Sequence, residues 1–229
     1  SLKSINCDRM SFGLECGNED FRRNVVKRHP TNQEIVESFK GIAQSGIAFS
    51  VNNIIGFPGE TRDMIFDTID LNRQLRGYDA TTVSIFTPYH GTELRTLAVE
   101  KGYIDPDVIT KHTISNSLLK MPHLPSEEID GLIRTFPLYV RFPKDEWTKI
   151  RQAEANTEEG KLIYSEYQKK YRDQFFNSTQ ADSLEDWDAP SKYSVVPDSP
   201  TSGSEKPWGF NCGAEQRQYA VPPQGVPPK

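Results

Sequence analysis

Residues 52–61 read "NNIIGFPGET", and the fold turns on this stretch. An apolar run stops at Gly56, two glycines and Pro58 follow, and Thr61 stands where a helix cap belongs. Glycine permits positive φ and lets another group approach the backbone. Proline stiffens the turn, and the free N–H groups of a helix start favour an anionic neighbour. A buried strand leaving through such a turn into a helix is the βα junction of a parallel sheet. An ordinary tight turn would use the same glycines, so the stretch alone defines no site.

The flanking sequence repeats the pattern. "DRMSFGLECG" reads as a strand ending near Glu15, and "NEDFRRNVVKR" as a helical segment with Phe21 and Val25 on one face. "PTNQEIVESFKGIAQSG" is a helix with a Thr31/Glu34 capping box, an apolar face of Ile35, Phe39 and Ile42, and Gly46 to end it. "IAFSVNNIIGF" is a second strand. "TRDMIFDTIDLNRQLRG" is a helix capped by Thr61, with Ile65, Ile69 and Leu75 inward and Gly77 at its end, and "ATTVSIFTP" is a third strand. This βαβαβ order specifies an α/β fold with a parallel sheet, open or closed into a barrel, and right-handed crossovers.

After "YHGTELRTLAVEKGYI" the pattern turns helical as far as residue 176. Ser126 is a candidate cap for "EEIDGLIRTFPLYV", and Pro137 is expected to break or kink that helix. The aromatic stripe Trp147, Tyr164, Tyr167, Tyr171 and Phe175 favours a core or subunit contact over a substrate box. From about Asn177 the chain turns to Ser, Pro, Gly and charge, too poor in apolar residues to offset its ordering entropy. The expected division is therefore 1–104 sheet-bearing, 105–176 helical extension and 177–229 disordered tail.

The bulk numbers exclude some classes. A net charge of −5 over 229 residues gives no strong nucleic-acid signal. No apolar run approaches the ~18 residues of a membrane span, and no signal-peptide pattern opens the chain, so no membrane partner is expected. Cys7, Cys16 and Cys212 form no disulfide framework, which fits a reducing cytoplasmic compartment. Neither they nor His29, His90, His112 and His123 have metal-site spacing. The chain opens at Ser1 rather than methionine, so a fragment or a processed chain is expected.

Ligands of parallel α/β folds sit at the carboxyl ends of the strands. The three ends here are "GLECGNE", "GFPGET" and "FTPYHGT". Glu15 could accept hydrogen bonds from the vicinal hydroxyls of a ribose, or merely support the next helix. Lys27 and Arg28 could grip a carboxylate or phosphate, or be solvated surface charges. The third end offers backbone carbonyls and the edge of Tyr89 or His90.

Taken together, "GLECGNEDFRRNVVKRH", "SGI", "NNIIGFPGETRDMIFDTI" and "FTPYHGTEL" resemble the second half of a radical S-adenosylmethionine (SAM) enzyme. The likeness is closest to the Elp3/MiaB/NifB-type core and, within it, to members with an N-terminal cobalamin-binding domain. It covers roughly residues 5–100 by motif and extends more loosely to about 176. The resemblance implies a partial (βα)6 TIM-like barrel, of which these would be the fourth, fifth and sixth strands. It implies that Glu15, with neighbouring Cys16, meets the SAM ribose; Cys16 stands where serine is usual and is not expected to ligate a cluster. Lys27 would pair with the SAM carboxylate. Ile55, Gly56, Pro58 and Gly59 would pack beside the adenine, with Thr87, Pro88 and Tyr89 on its other side; His90 replaces the proline common there. On this reading the glycines leave room for a flat base.

The expected cofactors are SAM, a 4Fe-4S cluster with ligands outside this chain, and cobalamin. The family's CxxxCxxC follows its first strand, and these residues begin at what resembles the fourth. The expected partners are the missing N-terminal half of the same protein and a small-molecule or unknown substrate over the barrel mouth. Alone, the chain is expected to be inactive. The alternative is a non-catalytic half-barrel serving as a binding or interaction module. Anaerobic reconstitution of this polypeptide with iron and sulfide should give no cluster absorption band; such a band would refute the cysteine argument.

Overall fold

The structure is a computed structural model that describes residues 2–110 and 116–176. The expected disordered tail, Cys212 and His112 lie outside the described residues. Strands β1 (Arg9–Glu15), β2 (Ala48–Ile55) and β3 (Ala80–Ile85) form a parallel sheet in sequence order. Helices α1 (Glu19–Asn24) and α2 (Asn32–Gln44) connect the first pair, and α3 (Arg62–Asn72) connects the second.

Side-chain alternation gives the sheet two unlike faces. Leu14, Phe49 and Val51 are buried against Phe39 and Ala43 of α2 and against Leu71, Leu75 and Tyr78 around the end of α3. The opposite face carries a polar row. Asn52 donates to Ser11 Oγ at 2.8 Å, Thr82 donates to Asn52 Oδ1 at 2.9 Å, and Ser11 and Ser50 are hydrogen-bonded at 3.2 Å. On the helix side, wholly buried Asn53 and Asn72 exchange hydrogen bonds of 2.8 and 3.2 Å, and Asn53 also donates to Thr81 Oγ1. Each amide therefore has a partner, as burial of a polar group requires.

The helix starts follow the sequence closely. Thr31 and Glu34 form the expected capping box, and the Thr61 hydroxyl accepts from Met64 N. The ends differ. α1 stops at Asn24, because Lys27 turns to φ +60° and leaves the helical region. α3 stops at Asn72, although Leu75 beyond it is still fully buried.

Past β3 come α4 (Glu93–Glu100), α5 (Ser126–Arg141), α6 (Trp147–Gln152) and α7 (Glu158–Tyr171). Neither a Ser126 cap nor a break at Pro137 is found in α5. Ser126 lies inside the helix, whose cap position is Pro125, with no side-chain cap bond. Pro137 does not end the helix, which runs on to Arg141. An interior proline costs about 3 kcal/mol, whereas each large apolar side chain fully buried contributes about 1.5–3 kcal/mol. Phe136, Leu138, Tyr139 and Val140 are all buried around it, so packing wins.

The helices after residue 104 share one core with the sheet. Ile55, Ile65, Ile69 and Phe86 cluster with Ile129, Leu132, Phe136 and Tyr167. The aromatic stripe belongs to this core: Tyr167 and Tyr171 are buried, with Trp147, Tyr164 and Phe175 packed against them. Arg62 at the start of α3 forks onto Glu154 at 2.7 and 2.8 Å and reaches Glu128 at 2.8 Å, with the Tyr139 hydroxyl on the same Glu154.

The loop after β1 approaches α3 closely. Gly17 N donates to Thr68 Oγ1 at 2.8 Å, and a Cβ at Gly17 would stand 2.3 Å from the Asp67 carbonyl oxygen. Because the obstacle is helix backbone, Gly17→Ala should lower stability by about 1–3 kcal/mol, read as a reduced urea midpoint at unchanged slope.

Candidate functional site

The strand register brings three loops to one rim. Glu15 pairs with Asn53, Ile55 pairs with Ile85, and Phe86 N donates to Ile55 O at 2.8 Å. The loops beginning at Glu15, Gly56 and Phe86 therefore leave neighbouring strands at the same edge.

The first loop opens with backbone strain. The register shifts between Gly13 and Glu15, and Cys16 N donates to Leu14 O at 2.9 Å, closing a three-residue turn around Glu15 at φ +66°. This is the rare, strained hand of the γ-turn. Such residues cost of order 1–3 kcal/mol and cluster at functional sites. The Glu15 carboxylate folds over the α-carbon of Gly13, where a Cβ would lie 2.2 Å from Oε1. Arg28 pairs with that oxygen at 3.2 Å. Burial raises the Glu15 carboxyl above its ordinary range, and Arg28 partly offsets it. Lys27 is exposed beside them, also at positive φ. Buried Arg22 of α1 fastens the loop by donating to Cys16 O at 2.7 Å, Pro30 O at 2.6 Å and Asn32 Oδ1 at 2.8 Å.

In the second loop Gly56 and Gly59 take φ +83° and +88°. The side-chain position of Gly56 faces Ile129 of α5 at 3.1 Å, so the missing Cβ there makes room for protein packing. The space at Gly59 is open. Ile55 and Pro58 are buried beneath the turn. Glu60 is fully buried and accepts from Gly56 N at 2.6 Å and Phe57 N at 3.1 Å, folding the turn onto its own carboxyl. Burial raises that carboxyl to about 8. The Cys16 thiol lies 3.9 Å from Glu60, without solvent exposure, and burial and Glu60 push it up to about 12. Its sulfur is thus kept protonated and out of solvent.

In the third loop Thr87 is partly buried and Pro88 buried, while Tyr89 is 45% exposed and His90 exposed. Pro88 O accepts from Arg95 of α4 and from Thr110. The sequence reading missed Glu60, Arg22, Arg95 and the polar row Ser11–Asn52–Thr82. The row had a signal: a polar residue at every second position of strands otherwise rich in apolar residues.

Among the described residues no group of three His, Cys, Asp or Glu side chains could hold a metal, and no helix is long and apolar enough to cross a membrane. A strained carboxylate, neighbouring cations, an open glycine and an exposed aromatic thus stand at the carboxyl rim of a parallel sheet, where α/β folds bind their ligands. A profile of the Radical SAM superfamily matches residues 1–71, which hold the first two strands and the helices after each. An uncharacterised methyltransferase of Pyrococcus horikoshii is 29% identical over 134 residues, covering 58% of this chain and 29% of the relative. A tRNA-2-methylthio-N(6)-dimethylallyladenosine synthase of Clostridioides difficile is 32% identical over 127 residues, 54% of this chain and 25% of the relative. The enzyme of the same name from Clostridium novyi is 25% identical over 164 residues, 69% of this chain and 34% of the relative. The chain thus spans about a quarter to a third of these curated relatives.

A carboxyl whose folded-state pKa is raised binds its proton more tightly when folded. Its contribution to stability is present below the unfolded value near 4.5 and is lost as pH rises through about 8. Glu60→Gln keeps an acceptor for Gly56 N and Phe57 N but cannot ionise. Between about pH 5 and 8.5 its urea midpoint should fall less than the wild type's; an equal fall would remove Glu60 as the cause.

Proposed function

We propose that this chain supplies the S-adenosylmethionine-binding rim of a radical SAM enzyme whose reaction transfers a methyl or methylthio group to an unactivated carbon. The observation that carries this reading is Glu15, held at φ +66° where three loops meet at one rim. The residues fit the nucleoside by their chemistry. Glu15 offers two acceptor oxygens to vicinal ribose hydroxyls, and Lys27 a cation to the methionyl carboxylate. The turn at Ile55, Gly56, Pro58 and Gly59 and the loop at Thr87, Pro88 and Tyr89 would flank the adenine, with Gly59 the open approach. In this arrangement the three strands stand fourth to sixth in a partial barrel, and the row Ser11–Asn52–Thr82 lines its interior.

The described cysteines do not fit a 4Fe-4S cluster, because Cys16 is buried and held as the thiol and Cys7 stands without partners of suitable spacing. The cluster would be held by another part of the same protein. In this family cluster and SAM together supply a 5′-deoxyadenosyl radical, while the polypeptide binds, orients and shields. The relatives named above are called a methyltransferase and methylthio-forming synthases, which supports an enzyme over a non-catalytic module. None of those names mentions cobalamin.

In the full-length, cluster-loaded protein, reduction in the presence of SAM should release 5′-deoxyadenosine. Glu15→Gln should weaken SAM binding about tenfold or more, the scale of a lost hydrogen bond to a charged group. A wild-type protein that binds no SAM in equilibrium dialysis refutes the proposal.

A further inference from the structure

Arg95 is the third residue of α4, a place where an arginine normally points into solvent, yet it is only 6% exposed. Its guanidinium meets four neutral acceptors. Nη1 donates to Pro88 O at 3.0 Å and Thr110 Oγ1 at 3.1 Å; Nη2 donates to Pro106 O at 3.0 Å and Val108 O at 2.7 Å. Thr110 Oγ1 also donates to Pro88 O at 2.8 Å. Pro88 and Pro106 have no N–H, so their carbonyls are the only polar backbone handles these two residues offer.

We infer that Arg95 is the positioning residue of the third rim loop, tying Thr87–Tyr89 to the 105–110 segment and so fixing the wall against which the ligand's base would lie. The inference rests on the reading of the rim given above. The loop is pinned on either side of this tie. Phe86 N is bonded to Ile55 O, and Tyr89 O accepts from Thr92 N at 3.3 Å and Thr92 Oγ1 at 2.8 Å. Among the described residues, Arg95 and Thr110 hold the Pro88 carbonyl between those pins. A planar fork can serve acceptors from both segments at once, whereas a lysine ammonium is a point charge without that geometry.

The test uses the full-length, cluster-loaded protein with Arg95→Gln, Arg95→Lys and a matched control. Arg73→Gln serves as the control, because Arg73 donates to three carbonyls, of Tyr139, Val140 and Phe142, at the far end of α3 from the rim. Amide hydrogen exchange should speed up in 86–92 and 105–110 for both Arg95 variants and not for Arg73→Gln. SAM affinity should fall about tenfold for both Arg95 variants and stay at the wild-type value for Arg73→Gln, even where that variant lowers the melting temperature. Unchanged exchange in the two loops overturns the inference. So does unchanged SAM affinity beside loosened loops, or an equal loss in Arg73→Gln. A wild type that binds no SAM overturns the reading of the rim and this inference together, whereas loss of the expected pattern beside a SAM-binding wild type overturns this inference alone.

Discussion

Each loop at the carboxyl rim is fastened by one buried ionisable side chain that binds backbone. Arg22 holds the first through the carbonyls of Cys16 and Pro30, Glu60 holds the second through the N–H groups of Gly56 and Phe57, and Arg95 holds the third through Pro88. A polar or charged group taken out of water is costly unless its hydrogen-bonding capacity is met, so these side chains accept only a narrow set of backbone positions. Loops rich in glycine and proline have few side-chain contacts of their own. The buried polar side chains supply the rigidity that the loop sequences lack.

The two faces of the sheet divide the remaining work. The face toward α2 and α3 is apolar except for the satisfied seam of Asn53, Asn72 and Thr81, and it makes the core. The other face is a hydrogen-bonded row of small polar side chains, unsuited to packing against helices and suited to a polar ligand or water. A parallel sheet with both faces covered by helices would be apolar on both. The polar row therefore marks a face unlike a helix-packed layer interface.

The helices beyond β3 are as much a part of the site as the sheet. Ile129 fills the space beside Gly56, and Arg62 locks α3 to Glu128 and Glu154. The second loop is shaped from behind by α5, so Gly56 answers to protein packing. Pro137 is tolerated for the same reason: once α5 is buried against the sheet, the apolar contacts of one turn outweigh the lost hydrogen bond.

What the sequence determined by itself is whatever depends on short range. The βαβαβ order, the Thr31/Glu34 and Thr61 caps, the turn at Gly56–Gly59 and the family motifs are all written in runs of a few residues, where period, capping chemistry and permitted φ act locally. The tertiary structure decided the rest. The positive φ of Glu15 and Lys27, the burial of Cys16, the fate of Pro137 and the roles of Arg22, Glu60 and Arg95 each depend on atoms brought close by folding. In a linear sequence a buried arginine bonded to carbonyls is indistinguishable from a solvated one, because the difference lies in the acceptors that surround it and those come from segments many residues away.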